Sequence, residues 1–101
     1  MITIKRGDTG FGIKGTLTNV EGRVDLTEAN VLFLYGKHEI KAYIKDAFNG
    51  EVMVFFNKIH TEKKGIYNAE FEVQFKDGRI ETFPSDGYIK INIIDDLGGV
   101  S

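Results

Sequence analysis

The chain has no cysteine and a single proline among its 101 residues. Without cysteine there is no structural disulfide and no thiolate metal site. The redox compartment stays open, because a secreted domain can also lack cysteine. Long apolar runs are missing too. The longest, Val31 to Tyr35 and Val52 to Phe56, fall far short of a bilayer span. No block of one charge exists. The net charge is −2, with Lys and Arg spread along the chain. Nothing can neutralise a run of phosphates or form a polybasic membrane patch, so neither nucleic acid nor membrane is expected as a partner. Met1 to Arg6 lacks the apolar core of a signal peptide, so export from this end would not use an ordinary signal. No segment carries the three-and-four apolar spacing of an amphipathic helix of three turns.

What is present is ordinary globular composition, 42% hydrophobic and 28% charged, at a length that fits one domain. Such a domain can bury a core without metal or disulfide staples. The apolar segments are short, rich in Val, Ile, Phe and Tyr, and interrupted by glycine or Asn-Asp clusters. That pattern predicts an all-β sandwich or barrel. Its clearest stretch runs from Gly65 to Tyr88. Tyr67, Ala69, Phe71, Val73 and Phe75 alternate with Asn68, Glu70, Glu72, Gln74 and Lys76. Side chains of a strand have a period of two, so one set faces a core and the other faces water.

Strands are predicted over Ile2–Lys5, Phe11–Thr18, Asn30–Tyr35, Glu39–Lys45, Glu51–Phe56, Ile66–Lys76, Arg79–Phe83 and Tyr88–Ile94, with Ile89, Ile91 and Ile93 facing in. Asn19 to Gly22 and Asp86-Gly87 supply turns. Asn49-Gly50 is a type I′ hairpin signal, and Asp77-Gly78 does similar work. Pro84 lies between strands, where a missing N–H breaks no ladder. Asp25 to Glu28 is expected to form one helical turn capped by Asp25. Tyr67 follows Gly65 at the start of a long strand. It has two readings: an ordinary strand tyrosine, or an immunoglobulin-type corner whose hydroxyl bonds back to the backbone. Residues 98–101, Gly-Gly-Val-Ser, are expected to begin a linker to a further region, with the domain spanning residues 1–97.

Candidates for chemistry are thin. His38 and His60 sit in separate polar segments without zinc spacing. Asp95 and Asp96 are adjacent and would point to opposite faces of a strand. Glu70 and Glu72 share a face that offers either a sugar platform or plain solvated surface. Asp46 to Glu51 lacks the length and ligand spacing of a calcium loop. Arg6-Gly7-Asp8 is taken as a turn. No phosphate loop and no Ser or Cys nucleophile motif is present. No catalytic residue, metal ligand or cofactor is therefore assigned, and the chain is not expected to be an enzyme. The remaining signal is apolar. With Val31, Phe33, Tyr35, Val52, Val54 and Phe56 facing the core, Leu32, Leu34, Met53 and Phe55 face outward. They are the expected protein-docking patch.

Several pieces recur in a characteristic order: Ile4-Lys5-Arg6-Gly7-Asp8-Thr9-Gly10, Val24-Asp25-Leu26-Thr27, Val31-Leu32-Phe33, Asn49-Gly50-Glu51-Val52, Gly65 to Phe71, Lys76 to Pro84 and Tyr88-Ile89-Lys90-Ile91. Together, from about Ile2 to Leu97, they resemble the N-terminal immunoglobulin-like domain of phage baseplate upper proteins of Gram-positive phages and prophages. The resemblance implies an immunoglobulin-like antiparallel β-sandwich of seven or eight strands. It also implies a virion structural protein, made in the bacterial host cytoplasm and placed in the tail baseplate. Its partners would be other baseplate and tail proteins and the receptor-binding protein used in host attachment, with homo-oligomerisation in the full-length protein. It transfers no catalytic or binding residues. The alternative is a carbohydrate- or cell-surface-binding immunoglobulin-like module of a Gram-positive surface protein. A wall hydrolase comes third.

Overall fold

Alternation along the chain decides the architecture of the computed structural model, which describes residues 1–97. The long strand β9 (Gly65–Gln74) buries Ala69, Phe71 and Val73 and turns Asn68, Glu70, Glu72 and Gln74 the other way. Tyr67 and Phe75 pack against the same core at its ends. Around it stand β1 (Ile2–Lys5), β5 (Asn30–Tyr35), β6 (His38–Lys41), β10 (Ile80–Phe83) and β11 (Ile89–Ile94). The large sheet is ordered β1-β11-β9-β5-β6, with β10 paired to the far end of β9. A small sheet, β2-β8-β7, is built from β2 (Gly12–Thr16), β8 (Glu51–Phe55) and β7 (Tyr43–Asp46). The two-residue strands β3 (Thr18–Asn19) and β4 (Gly22–Arg23) make a separate hairpin.

The two sheets enclose one core, making an all-β sandwich. Its centre is aromatic. Phe33 lies 4.8 Å from Phe71 and 6.2 Å from Phe56, and Tyr35 lies 5.0 Å from Phe56, centroid to centroid. All six residues expected to face inward from β5 and the β8 segment are buried, as are Ile91 and Ile93. Ile89 is half-buried.

Four expectations need correction. The sandwich is not wholly antiparallel: β1 runs parallel to β11, Ile2 beside Ile91. Parallel strands require a long connection, and nearly the whole chain lies between these two. The described residues hold eleven strands rather than seven or eight, because two predicted strands break and Gly22–Arg23, at the end of a predicted turn, adds a short one. Glu39–Lys45 passes from one sheet to the other at buried Ala42, whose N–H donates to Val31 O at 2.9 Å. Phe11–Thr18 breaks at buried Leu17, whose N–H donates to Gly50 O at 2.8 Å and whose carbonyl accepts from Val24 N at 2.9 Å.

The Asp25 segment is not helical. Asp25 Oδ1 accepts from both the N–H and the hydroxyl of Thr27, at 2.9 and 2.6 Å, and Glu28 takes φ 58°. Leu26, wholly buried, fixes this turn by its side chain. Nor is the Asn49-Gly50 turn a two-residue loop. The carboxylate of Asp46 accepts from the backbone and side chain of Asn49, at 3.2 and 2.8 Å, and only Gly50 takes positive φ. The register of β7 against β8 shifts between Ile44 and Asp46 to make room. Finally, a one-turn helix α1 (Lys58–Thr61), too short to leave a periodic signal, carries the chain from β8 to β9. The expected linker at residues 98–101 lies outside the described residues.

Candidate docking surfaces

The four apolar residues expected to form one patch are divided between two faces. Leu32 and Leu34 belong to β5, Met53 and Phe55 to β8. Because both strands turn their alternate residues into the shared core, these outward residues point to opposite sides of the sandwich. Leu32 and Leu34 are half-buried. Lys41 and Glu72 flank the first in register, Glu39 and Glu70 the second. That face is mixed: charged residues flank both leucines, and Leu34 also lines a shallow depression with the exposed Ile66 and Tyr88.

The other face is open. Phe55 is 60% exposed and Tyr43 is 64% exposed. Tyr43 pairs across the ladder with Met53, and Gly12 pairs with Phe55. A Cβ at Gly12 would lie 2.8 Å from Met53 Sδ and 2.9 Å from Phe55 Cε1. The glycine therefore gives these two side chains room to lie across β2. Tyr43, Lys45, Met53 and Phe55 line a shallow depression of about 400 Å³. The alternation of the sequence points to Met53 and Phe55 but not to Tyr43, which falls in a segment that alternates ordinarily.

The polar face of β9 is bonded within itself. Gln74 Nε2 donates to Glu72 Oε1 at 3.0 Å and Lys90 Nζ donates to Asn68 Oδ1. At the opposite end of the large sheet, Asp95 accepts from Lys64 Nζ at 3.0 Å and lies 3.6 Å from Arg6. The Lys64 bond, ahead of the charges of Lys64 and Arg6, holds the Asp95 carboxyl below its ordinary range. Arg6-Gly7-Asp8 is a turn, with Asp8 N–H donating to Lys5 O and Gly7 at φ 85°.

One cluster has no signal in the sequence. His38 and His60 lie 4.9 Å apart, ring to ring, beside Tyr35 and Phe56. Residues 22 apart in sequence share no spacing motif, and the α1 turn brings them together. The Nδ1 of His60 accepts from Asn57 N–H at 3.0 Å, and Tyr35 donates its hydroxyl to His60 O at 3.0 Å. Burial, with the charge of His38 second, pushes the His60 pKa down. Burial, with Tyr67 second, pushes the Tyr35 phenol up to about 12. Among the described residues, no group of three His, Cys, Asp or Glu converges as metal ligands. Beside this cluster Tyr67 donates its hydroxyl to Lys63 O, four residues upstream, at 2.8 Å. The Tyr67 hydroxyl thus bonds back to the backbone. No protein-family model matches this chain, and no curated protein sequence matches it.

Proposed function

We propose that this chain is an immunoglobulin-like structural and assembly module of a phage or prophage tail baseplate. The Tyr67 to Lys63 bond, seated at the entry to β9, carries the fold part of this reading. An immunoglobulin sandwich orders its strands G-F-C in one sheet and B-E-D in the other, with a tyrosine corner at the start of strand F. Assigning β2, β5, β7, β8, β9 and β11 to strands B, C, D, E, F and G yields both orders, with β6 beside C. Tyr67 then falls at the expected corner. The baseplate part rests on the ordered sequence resemblance, which spans nearly all of the chain. A rigid sandwich with an open aromatic face on one side and a mixed charged and apolar face on the other suits a part that joins two others. Immunogold electron microscopy of an induced lysate, with antibody raised to this chain, is expected to label tail tips. Label on bacterial surfaces and none on tails would overturn the reading.

The exposed pair Tyr43 and Phe55 favours a second reading, a carbohydrate-binding module, because flat aromatic faces stack on sugar rings. It predicts that the chain sediments with purified Gram-positive cell walls and that Phe55→Ser abolishes this. A chain that stays in the supernatant excludes it.

A further inference from the structure

The small sheet ends at β2 on one side. Leu17 N–H donates to Gly50 O, in register with the pairs Thr16–Glu51 and Gly15–Val52. Backbone groups of successive strand residues point to alternate sides. Ile13 and Gly15 therefore bond toward β8, while Gly12, Lys14 and Thr16 turn their N–H and C=O groups outward. Among the described residues, none pairs with this outer row. Directly beside it a groove of about 450 Å³ opens between the sheets. Ile13 and Leu17 line it from β2 and its extension. Ile2, Phe83 and Ile89 line it from the large sheet, and Phe71 forms its floor. A Cβ at Gly15 would stand 3.2 Å from the Phe71 ring, so this glycine lets β2 lie flat over the groove.

We propose that the outer edge of β2 and its groove take up an extended segment of a partner protein as a fourth strand of the small sheet. An unpaired row of backbone donors and acceptors is matched by another strand and by little else. The groove requires that alternate side chains of that strand be apolar. The side chains between them would face the outer surface, where Lys14 and Arg23 share the single carboxylate of Glu51, at 3.9 and 4.0 Å. Arg23 also faces Asp46, whose carboxyl its charge helps to hold low, whereas the half-exposed Lys14 stands on the edge strand itself, so the segment carries acidic residues at the positions beside Lys14. A second copy of this chain fits poorly, because the antiparallel pairing of two β2 edges that uses all three outward residues sets Lys14 against its own copy. The inference concerns the edge itself and does not depend on which assembly holds the protein.

The test uses the intact chain and a capped nine-residue peptide alternating valine with glutamate, against the same peptide with lysine for glutamate. Amide exchange is followed residue by residue. Millimolar valine–glutamate peptide is expected to slow exchange at Lys14 and Thr16 by on the order of tenfold or more. The lysine peptide should protect less. Thr16→Pro removes one outward N–H and leaves the β2–β8 bonds in place, so it should keep the fold and lose the protection at Lys14. Should that variant fail to fold, Lys14→Glu serves instead and should reverse the preference to the lysine peptide. Unchanged exchange at Lys14 and Thr16 with both peptides overturns the proposal. A concentration-dependent dimer in sedimentation that Thr16→Pro dissolves also overturns it, by making a second copy the occupant.

Discussion

Gly50 carries the sharpest prediction, because two separate constraints meet on one residue. Its φ is 66°, a region that costs an L side chain about 1–2 kcal/mol. It is also buried, and a Cβ there would lie 2.7 Å from Leu17 O and 2.8 Å from Val24 O. Those carbonyls cannot simply move. Leu17 O accepts from Val24 N at 2.9 Å, and Leu17 N–H donates to Gly50 O at 2.8 Å. Together these bonds hold the β3–β4 hairpin to the β7–β8 turn. Pushing the segments apart adds overpacking of about 1–3 kcal/mol and strains hydrogen bonds worth about 0.5–1.5 kcal/mol each. Gly87 is the control. It has φ 75°, and a Cβ there would meet nothing within 4 Å, so Gly87→Ala should lose only the backbone contribution. Gly50→Ala is expected to lose about 3–5 kcal/mol in all. At a urea slope of about 1–3 kcal/mol per molar, its midpoint falls about 1 M or more below that of Gly87→Ala. Equal losses, within about 0.5 kcal/mol, would refute the close approach and leave φ as the whole reason for the glycine.

Three further outcomes follow from the same core. Phe71→Ala should cost about 3–5 kcal/mol, because Phe71 is buried against Phe33 and roofed by β2; a urea midpoint at the wild-type value would contradict its placement. Thr61 is fully buried and its Oγ1 has no hydrogen-bond partner, so Thr61→Val keeps the shape, removes the unpaired hydroxyl and should stabilise by about 1 kcal/mol. A destabilised Thr61→Val in thermal melts would show that the hydroxyl is satisfied. His60 has a folded-state pKa below its ordinary 6.5, and protonating Nδ1 would break its bond from Asn57 N–H. Its contribution to stability is present above the unfolded-state pKa and is lost as pH falls through the lower folded-state value. The urea midpoint should therefore drop as pH falls below about 6.5, and His60→Gln should flatten that drop; an identical slope in the variant would remove His60 as its cause.

Much of the fold was legible because one face of each strand is buried and the other is not. The β9 alternation identifies its core residues directly, and the glycine of Asp77-Gly78 sits at φ 93° in the hairpin to β10. What sequence could not supply is pairing. Ile40, Ala42 and Ile44 keep turning inward, and Glu39, Lys41, Tyr43 and Lys45 outward, straight through the crossing between sheets. A segment that changes sheets while keeping one face to the core looks like one uninterrupted strand. The parallel pairing of β1 with β11 is hidden for a related reason: each strand has the same inward pattern whichever neighbour it takes. Turn type is hidden where a side chain overrides the backbone signal, as when Asn49 donates twice to Asp46 instead of taking positive φ.

The surfaces follow the same division. Alternation identified Leu32, Leu34, Met53 and Phe55 as outward, but outward has two directions in a sandwich. Only sheet membership separates the half-buried leucines, flanked in register by charged residues, from the open face of Met53, Phe55 and Tyr43. The β2 edge is harder still to see in sequence. Gly12-Ile13-Lys14-Gly15-Thr16 contains two glycines and alternates weakly, and nothing in it says that one row of its backbone groups is unpaired. Both glycines take their meaning from neighbours distant in sequence, Gly12 beneath Met53 and Phe55 and Gly15 over Phe71. An alanine at either site would disturb a different surface. At Gly12 it would displace Met53 and Phe55 from the open face; at Gly15 it would lift β2 from Phe71 and alter the groove. The two glycines thus separate the two candidate surfaces experimentally. A partner that reads the aromatic face is sensitive to Gly12→Ala, and one that adds a strand to β2 is sensitive to Gly15→Ala.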